Sequence, residues 1–375
     1  MRKNYDAIVI GGGVNGGAIA FNLSKRGLKV LLLEKDRIAS KASGAAAGML
    51  GAQSELDGKD PLFQLAKPSR AMFSGLAEEL KMTSGIDIEL VNKGTLRLAL
   101  TAQEQHRIST LHKHNGEYAE LLTSEEVRKK EPALTNELLG AMFLEKDGQV
   151  AASQLTFGFL KSASQLGAVI KEYVEVYSFY FSQGKITGVA SSEGDLLSSN
   201  VVVAGGAWSE KLLRKTGLQL ETYPVKGECF SVLSEIPLLS STIFTDTCYL
   251  VPKKDGRIIV GATVIPNTFN QQVTLEGISL LVENAKKLVP AISQCKWERA
   301  WAGIRPQTAD GLPYLGEHPD FKGLYIATGH YRNGILLAPI TGEVIADLVE
   351  RKSPSIDISS FRVNRSIKKS NPIMR

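Results

Sequence analysis

The sequence has few cysteines and no long apolar run. Its three cysteines, Cys229, Cys248 and Cys295, match no metal-binding spacing, so neither a disulfide framework nor a metal site is expected. Free thiols are typical of the reducing cytoplasm. No apolar stretch approaches the ~20 residues of a membrane helix, and the run Ala7–Ile10 is too short for a signal peptide. We therefore predict a cytoplasmic protein with no membrane partner.

The sequence also lacks a strong excess of one charge. It contains 44 Lys and Arg against 39 Asp and Glu among 375 residues, and the formal net charge of +5 is too small to indicate a nucleic-acid partner. With 43% hydrophobic and 22% charged residues, the chain is typical of a globular protein of about two domains. Residues 362–375 are rich in basic side chains and contain no acidic one, so they are predicted to form a solvated basic tail.

The N-terminus shows a βαβ pattern: a β-rich run, a helical stretch and a second apolar strand. These segments cover Ala7–Ile10, 14–26 and 29–33. The turn after the first strand fits G-x-G-x-x-G, in which Gly11 permits the turn, Gly13 lets the backbone approach a diphosphate, and Gly16 lets helix and strand pack closely. A turn that merely needs glycines is the alternative. The strand and helix around it favour a dinucleotide site.

Glu34 follows the second strand, where an acidic side chain can accept hydrogen bonds from both ribose hydroxyls of a dinucleotide. A carboxylate there argues against a 2′-phosphate. The glycine fingerprint occurs only once, so we do not expect the chain to bind both FAD and NAD(P)H.

Two other segments are rich in small residues. Residues 43–49 have little or no side chain apart from Met49, which indicates either a cofactor contact or a helix packing face. Residues 201–208 are an apolar strand that breaks into glycines, which fits a strand ending over a ligand or an ordinary buried strand with a turn.

The C-terminal third concentrates unusual residues. Arg305 precedes Pro306, which favours an extended backbone, and its guanidinium has the fork geometry that grips a carboxylate. A structural arginine that caps carbonyls is the alternative. Gly334 begins an apolar stretch that is predicted to be a helix whose N-terminus points at the cofactor.

The middle of the chain changes to antiparallel character. Residues 248–252 and 257–263 are β-rich and flank an Asp-Gly pair, a strong hairpin signal. A two-residue loop would pair Tyr249 with Ala262. With α/β patterns at both ends, we predict a nucleotide-binding domain that carries an inserted sheet-rich domain.

Taken together, the glycine turn, residues 43–52, 201–208, 224–229, 301–306 and 329–339 resemble the FAD-dependent D-amino-acid oxidase and sarcosine oxidase superfamily, and within it the thiamine-biosynthetic glycine oxidases. The resemblance covers nearly the whole chain. It implies an α/β fold with a Rossmann-like, glutathione-reductase-like FAD-binding domain and an inserted antiparallel-sheet substrate domain. The first domain is expected over 1–88, 149–222 and 305–361, and the second over 89–148 and 223–304.

The resemblance also implies site residues. The substrate carboxylate is expected on Arg305 and Tyr249, with Arg332 close to substrate and flavin. Relatives with covalent flavin use a cysteine near the region 301–316, which has none here, so noncovalent FAD is expected. Val264 stands where relatives carry a methionine near the substrate, so the shape of the substrate-site wall at this position is left open. The implied FAD contacts are Gly11, Gly13, Val14, Asn15, Gly16, Glu34, Lys35, Ala42, Ser43, Ala47, Gly48, Met49, Val174, His330, Tyr331, Arg332, Asn333, Gly334, Ile335 and Leu336.

The implied activity is oxidative deamination of glycine, with sarcosine and small D-amino acids as further substrates. The Cα hydrogen would pass as hydride to FAD, the imine would hydrolyse or feed thiazole formation, and oxygen would yield hydrogen peroxide. Such catalysis works by positioning, so no catalytic acid or base is expected. The resemblance also implies a homotetramer. A dehydrogenase that passes electrons to a quinone or carrier, and a noncatalytic flavin-binding protein, are the alternatives.

Overall fold

The computed structural model describes residues 4–115 and 117–367, which form an α/β molecule built on two large sheets. The strands are β1 (Ala7–Ile10), β2 (Val30–Leu33), β3 (Met49–Leu50), β4 (Thr95–Ala99), β5 (Ala119–Thr123), β6 (Gly140–Leu144), β7 (Gly148–Gln149), β8 (Val169–Lys171), β9 (Val176–Ser182), β10 (Lys185–Ser191), β11 (Gly194–Leu197), β12 (Val201–Val203), β13 (Thr222–Leu233), β14 (Thr242–Phe244), β15 (Tyr249–Pro252), β16 (Arg257–Gly261), β17 (Ile265–Pro266), β18 (Lys296–Thr308), β19 (Tyr314–Glu317) and β20 (Leu324–Thr328). The helices are α1 (Val14–Lys25), α2 (Ala42–Ala45), α3 (Pro61–Ser84), α4 (Ala102–Asn115), α5 (Ser124–Lys130), α6 (Ala152–Gln165), α7 (Ser209–Leu213), α8 (Leu275–Leu288) and α9 (Gly334–Val349).

The first large sheet has the strand order β19-β20-β12-β1-β2-β8 and is parallel except for β19. Its central strands are continuous apolar runs because both faces are covered, as parallel sheets require. Helices α1, α3, α6 and α9 pack together on one side of it. The predicted βαβ unit is confirmed, and Gly27 ends α1 in the left-handed region with φ +84°. The carboxyl ends of β1, β2, β12 and β20 therefore meet at one edge.

The second large sheet has the order β17-β13-β16-β15-β14-β4-β6-β5, and β18 also pairs with β13. It is antiparallel except for the parallel pair β14 and β4. Its strands come from residues 95–144 and 222–308, on either side of the segment that supplies β8 to β12 of other sheets. The long strands β13 and β18 run side by side, and this pairing sets Arg305 opposite Val225. The predicted domain boundaries stay a prediction.

The register of the predicted hairpin was wrong by one residue. Tyr249 pairs with Gly261, not with Ala262. The loop has three residues because the Lys253 N–H donates to the Arg257 carbonyl (2.7 Å) and Gly256 adopts φ +83°. A three-residue loop that ends on a left-handed glycine is the next most common hairpin connection after the two-residue turn.

The prediction of a solvated tail was wrong for its first residues. Val363 is buried, as is Phe361 just before the tail, and Arg365 forms a two-point ion pair with Asp310 (Nε to Oδ2 2.7 Å, Nη2 to Oδ1 2.9 Å). The Arg365 guanidinium also lies 3.9 Å from the ring centre of Tyr314. The composition of this segment predicted exposure to solvent, but Arg365 instead contacts Asp310 and Tyr314. Residues 368–375 lie outside the described residues.

We expect Arg365→Met to lower the free energy of unfolding by about 2–3 kcal/mol, because Asp310 would lose its charged hydrogen-bond donors. Burial would raise the pKa of Asp310, but the Arg365 hydrogen bonds outweigh it and hold that pKa below its usual range. The stabilisation is therefore present at neutral pH and is lost as the pH falls below ~4. Urea unfolding at neutral and acidic pH measures it. The control is Arg362→Met at an exposed neighbour, and equal unfolding midpoints for the two variants would contradict the assignment.

Candidate active site

The glycine turn after β1 is shaped by close backbone contacts. Gly11 has φ +116°, and a Cβ there would lie 2.5 Å from the Ala204 carbonyl oxygen. A Cβ on Gly16 would overlap the Gly11 carbonyl oxygen. The Glu34 carboxylate accepts the Gly12 N–H at 2.7 Å, which fixes the turn to the end of β2. The turn thus brings the N-terminus of α1 to the sheet edge, where N–H groups of its first turn other than that of Val14 can meet an anion.

A cavity of about 430 Å³ lies at this edge, along the carboxyl ends of β1, β2, β12 and β20. Most of the predicted cofactor residues line it. They are Gly11, Gly13, Val14, Asn15, Glu34, Lys35, Ala42, Ser43, Val174, His330, Tyr331, Arg332, Gly334 and Ile335.

The lining fits a dinucleotide by its polar chemistry. The Oδ1 atom of Asn15 is buried and accepts no hydrogen bond from any described residue. The Ser43 hydroxyl accepts the Val14 N–H at 2.9 Å, which ties α2 to the start of α1. Lys35 and Lys41 border the cavity and add positive charge. Cations beside a helix N-terminus suit a diphosphate, whereas the Asn15 Oδ1 acceptor needs a hydrogen-bond donor such as a ligand hydroxyl group.

A second cavity of about 80 Å³ adjoins the first. It contains all three predicted substrate residues, Arg305, Tyr249 and Arg332. Five residues line both cavities: Ala42, Ala46, Tyr331, Arg332 and Ile335. Small side chains form much of the remaining wall, so the space suits a molecule of a few heavy atoms.

Arg305 is the unpaired cation of this small cavity. Its guanidinium lies against Gly227, where any side chain would overlap it, and its Nη1 donates to the Thr263 carbonyl oxygen at 3.1 Å. Within residues 4–115 and 117–367, no carboxylate lies within ion-pair distance of it. A partly buried guanidinium without a counter-ion is suited to a ligand's carboxylate.

Arg332 differs because it already has a counter-ion. Its Nε donates to Oε2 of Glu55 at 2.8 Å, and both side chains are largely buried. Burial would lower the pKa of Arg332, but the Glu55 carboxylate more than offsets this and the pKa is raised. Glu55 lines the small cavity and was not predicted, since 277 positions separate the partners. No local pattern around residue 55 indicates it.

Tyr249 stands beside Arg305 with its phenol 3.6 Å from the Cys229 thiol. Burial raises the pKa of Tyr249 well above its usual value, so the phenol stays protonated and can donate a hydrogen bond. Burial also raises the pKa of Cys229. The cavity therefore offers neutral donors beside one uncompensated positive charge.

His330 lies where β20 leads into α9. Burial lowers its pKa to about 3, and its ring pairs with the Thr341 hydroxyl (Nε2 to Oγ1 3.1 Å), so it is neutral. Helix α9 begins at Gly334, as predicted, and that residue lines the larger cavity. The helix N-terminus thus places partial positive charge near the junction of the cavities.

Some predicted contacts lie elsewhere. Gly16, Asn333 and Leu336 line neither cavity, and Ala47, Gly48 and Met49 line the small one. Val264 is 55% exposed and lines neither.

Trp208 lines the larger cavity, and the Nζ atoms of Lys35 and Lys41 lie 4.9 and 5.7 Å from its ring centre. The sequence feature that pointed to this region was the pair of glycines that follows β12. Among the described residues, no group of three or more acidic, His or Cys side chains could hold a metal ion.

This chain belongs to the family of FAD-dependent oxidoreductases, because the sequence model of that family matches residues 6–348. The fold, the glycine turn and the two adjoining cavities agree with this assignment. The chain is similar to the glycine oxidase of Geobacillus kaustophilus, with 47% identity over 98% of this chain and 99% of that protein. The crystal structure of that oxidase superposes with a TM-score of 0.95 over 98% of this chain and all of the other. A bifunctional ThiO/ThiG protein of Synechocystis sp. is 33% identical over 99% of this chain, which spans 56% of it.

The family assignment makes FAD the cofactor of this protein, and we expect the larger cavity to hold it. We expect Gly16→Ala to abolish copurification of FAD, because the added methyl group would overlap the Gly11 carbonyl oxygen and displace the turn. The ratio of flavin to protein absorbance measures it. The control is Gly75→Ala at an exposed position of α3, where a Cβ meets nothing within 4 Å. A yellow Gly16→Ala protein with the normal flavin ratio would contradict this account.

Proposed function

We propose that this protein is an FAD-dependent oxidase that oxidatively deaminates glycine. The observation that supports it best is the guanidinium of Arg305, which lacks a counter-ion among the described residues and lies in a cavity of about 80 Å³ beside the larger cavity. Glycine matches that space because it has a carboxylate for Arg305 and no side chain. The likeness to glycine oxidases agrees with this substrate.

Bound FAD would supply the acceptor for the hydride of the substrate's Cα and return the electrons to oxygen as hydrogen peroxide. The protein binds and orients the substrate. Arg305 grips the carboxylate with charge-assisted hydrogen bonds, and the neutral phenol of Tyr249 donates another. Water then hydrolyses the imine to glyoxylate and ammonia. No side chain has to take a proton from Cα, so no catalytic base is assigned; His330, whose pKa of about 3 makes it a weak base, does not line the small cavity.

Arg332 keeps its positive charge at the junction of the cavities through the Glu55 pair. We propose that it stabilises negative charge next to the substrate without being neutralised by it. Sarcosine and small D-amino acids fit the same anchor, because they keep the carboxylate and add only a methyl group or a short side chain.

Several expectations stay proposals. Noncovalent FAD is supported by the absence of cysteine from residues 301–316. The ThiO/ThiG relative agrees with a role for the imine in thiazole formation. The homotetramer and the cytoplasmic location rest on the family resemblance and on the composition. None of the helices in the described part of the chain is long and apolar enough to cross a membrane.

The function is tested by mixing the purified yellow protein with glycine in the absence of oxygen. An oxidase loses its visible flavin absorbance, and admission of air restores it and releases one hydrogen peroxide per glycine consumed. Bleaching without peroxide, and reoxidation by a quinone instead, would favour a dehydrogenase. No bleaching at all would favour a noncatalytic flavin-binding protein.

We expect Arg305→Met to raise the KM for glycine by about 30-fold to several thousand-fold, which corresponds to ~2–5 kcal/mol for the loss of a charged partner. Steady-state peroxide release measures it. Arg299→Met is the matched control, since Arg299 is an exposed residue of the same strand, β18. Unchanged glycine kinetics in Arg305→Met would refute the carboxylate anchor.

A further inference from the structure

Lys253 is a partly buried cation with an unusual set of partners. Its Nζ donates to the carbonyl oxygens of Ala47 (2.6 Å) and Val150 (3.0 Å) and to Oε1 of Gln149 (2.6 Å). The side-chain amide of Gln149 in turn donates to the Pro252 carbonyl oxygen. In the described parts of the chain, no carboxylate lies within ion-pair distance of Lys253. The positively charged Nζ of Lys253 is therefore hydrogen-bonded to three uncharged oxygen atoms.

The Ala47 carbonyl belongs to the small-residue segment 46–49, which forms one wall of the small cavity. This wall has little side chain to hold it in place, so its position depends on backbone contacts. Gly48 adopts φ +87°, its carbonyl accepts the Val150 N–H at 2.8 Å, and any Cβ on it would overlap the Val150 carbonyl oxygen. Lys253 is the charged donor among these contacts.

Lys253 also directly follows β15, the strand that begins with Tyr249. Its side chain thus connects the strand that carries the phenol to the 46–49 segment, which lines the same cavity. The distance between that wall and the phenol is set in part by where the Nζ holds Ala47. Because the cavity measures about 80 Å³, a small shift of the wall changes how closely a short carboxylate fits.

We propose that Lys253 is a positioning residue of the active site, whose ammonium group holds the 46–49 wall in the place that a small carboxylate ligand requires. The proposal rests on the proposed function for the identity of the ligand class. Lys253 lines neither cavity, so it acts through Ala47 and not by touching the substrate.

The protonation state of Lys253 adds a pH signature. Burial lowers its pKa to about 7, while the carboxylates of Glu89 and Asp255 favour the charged form and Arg257 opposes it. Below that pH the ammonium has three hydrogens for three oxygens. Above it the neutral amine has two, so one oxygen loses its donor. Ligand binding should therefore be tighter below about pH 7 and weaken as the pH rises through that value.

Acetate is a suitable probe because it is a short carboxylate that the enzyme cannot oxidise. The flavin-loaded protein is titrated with sodium acetate at about pH 6 and about pH 8.5, and the change in visible flavin absorbance gives the dissociation constant. For the unmodified protein we expect a constant roughly three- to tenfold higher at the upper pH. For Lys253→Met we expect a constant about tenfold higher than the unmodified protein at the lower pH and no further change at the upper one.

Lys254→Met is the matched control, since Lys254 is the exposed neighbour in the same turn, and it should behave as the unmodified protein does. Unaltered acetate affinity in Lys253→Met, or a pH dependence that survives this substitution, would overturn the proposal. Should Lys253→Met fail to fold, the test relies on the unmodified protein alone. An equal dissociation constant for acetate at the two pH values would then overturn the proposal.

The acetate titration separates this inference from the proposed function. A protein that binds acetate with the expected pH dependence but is not bleached by glycine would refute the glycine oxidase function and keep the role of Lys253. A protein that is bleached by glycine but binds acetate equally well, or not at all, at the two pH values would refute the role of Lys253 and keep the glycine oxidase function.

Discussion

The uncompensated charge of Arg305 is the constraint on which the rest of the site depends. Removing a guanidinium from water is costly unless an anion or several acceptors replace the lost hydration. The described chain supplies one carbonyl acceptor, that of Thr263, and no carboxylate. Arg332 meets the same constraint differently, because it stays charged and has Glu55 as its counter-ion. Because Arg332 has a counter-ion and Arg305 has none among the described residues, we expect an anionic ligand to bind at Arg305.

The two large sheets contribute different parts of the site. The parallel sheet ends in the glycine turn, and its strand ends line the larger cavity. The other sheet supplies Arg305 from β18 and Tyr249 from β15. All five residues that line both cavities come from two other segments, 42–46 and 331–335. The anchor and the larger cavity are adjacent and share β18, because Ile304 and Pro306 on either side of Arg305 line the larger cavity.

Local patterns made the cofactor side of the fold predictable. The glycine turn, Glu34 and the start of α9 depend on residues close in sequence, and the structure has them at one sheet edge. The family resemblance brought Arg305, Tyr249 and Arg332 to notice, and they line one cavity.

Features that depend on distant partners were not predictable. The Glu55 partner of Arg332 lies 277 positions away, and the Asp310 partner of Arg365 lies 55 positions away, so neither leaves a periodic signal. The hairpin register failed for a different reason: an Asp-Gly pair fits both two- and three-residue loops, and the tertiary setting selects one. The central claim is tested most directly by a crystal structure of the flavin-loaded protein with acetate. Our account predicts the acetate carboxylate on the Arg305 guanidinium, beside Tyr249, with the flavin ring at the junction of the cavities. Acetate bound elsewhere while Arg305 pairs with a carboxylate of the protein would contradict it.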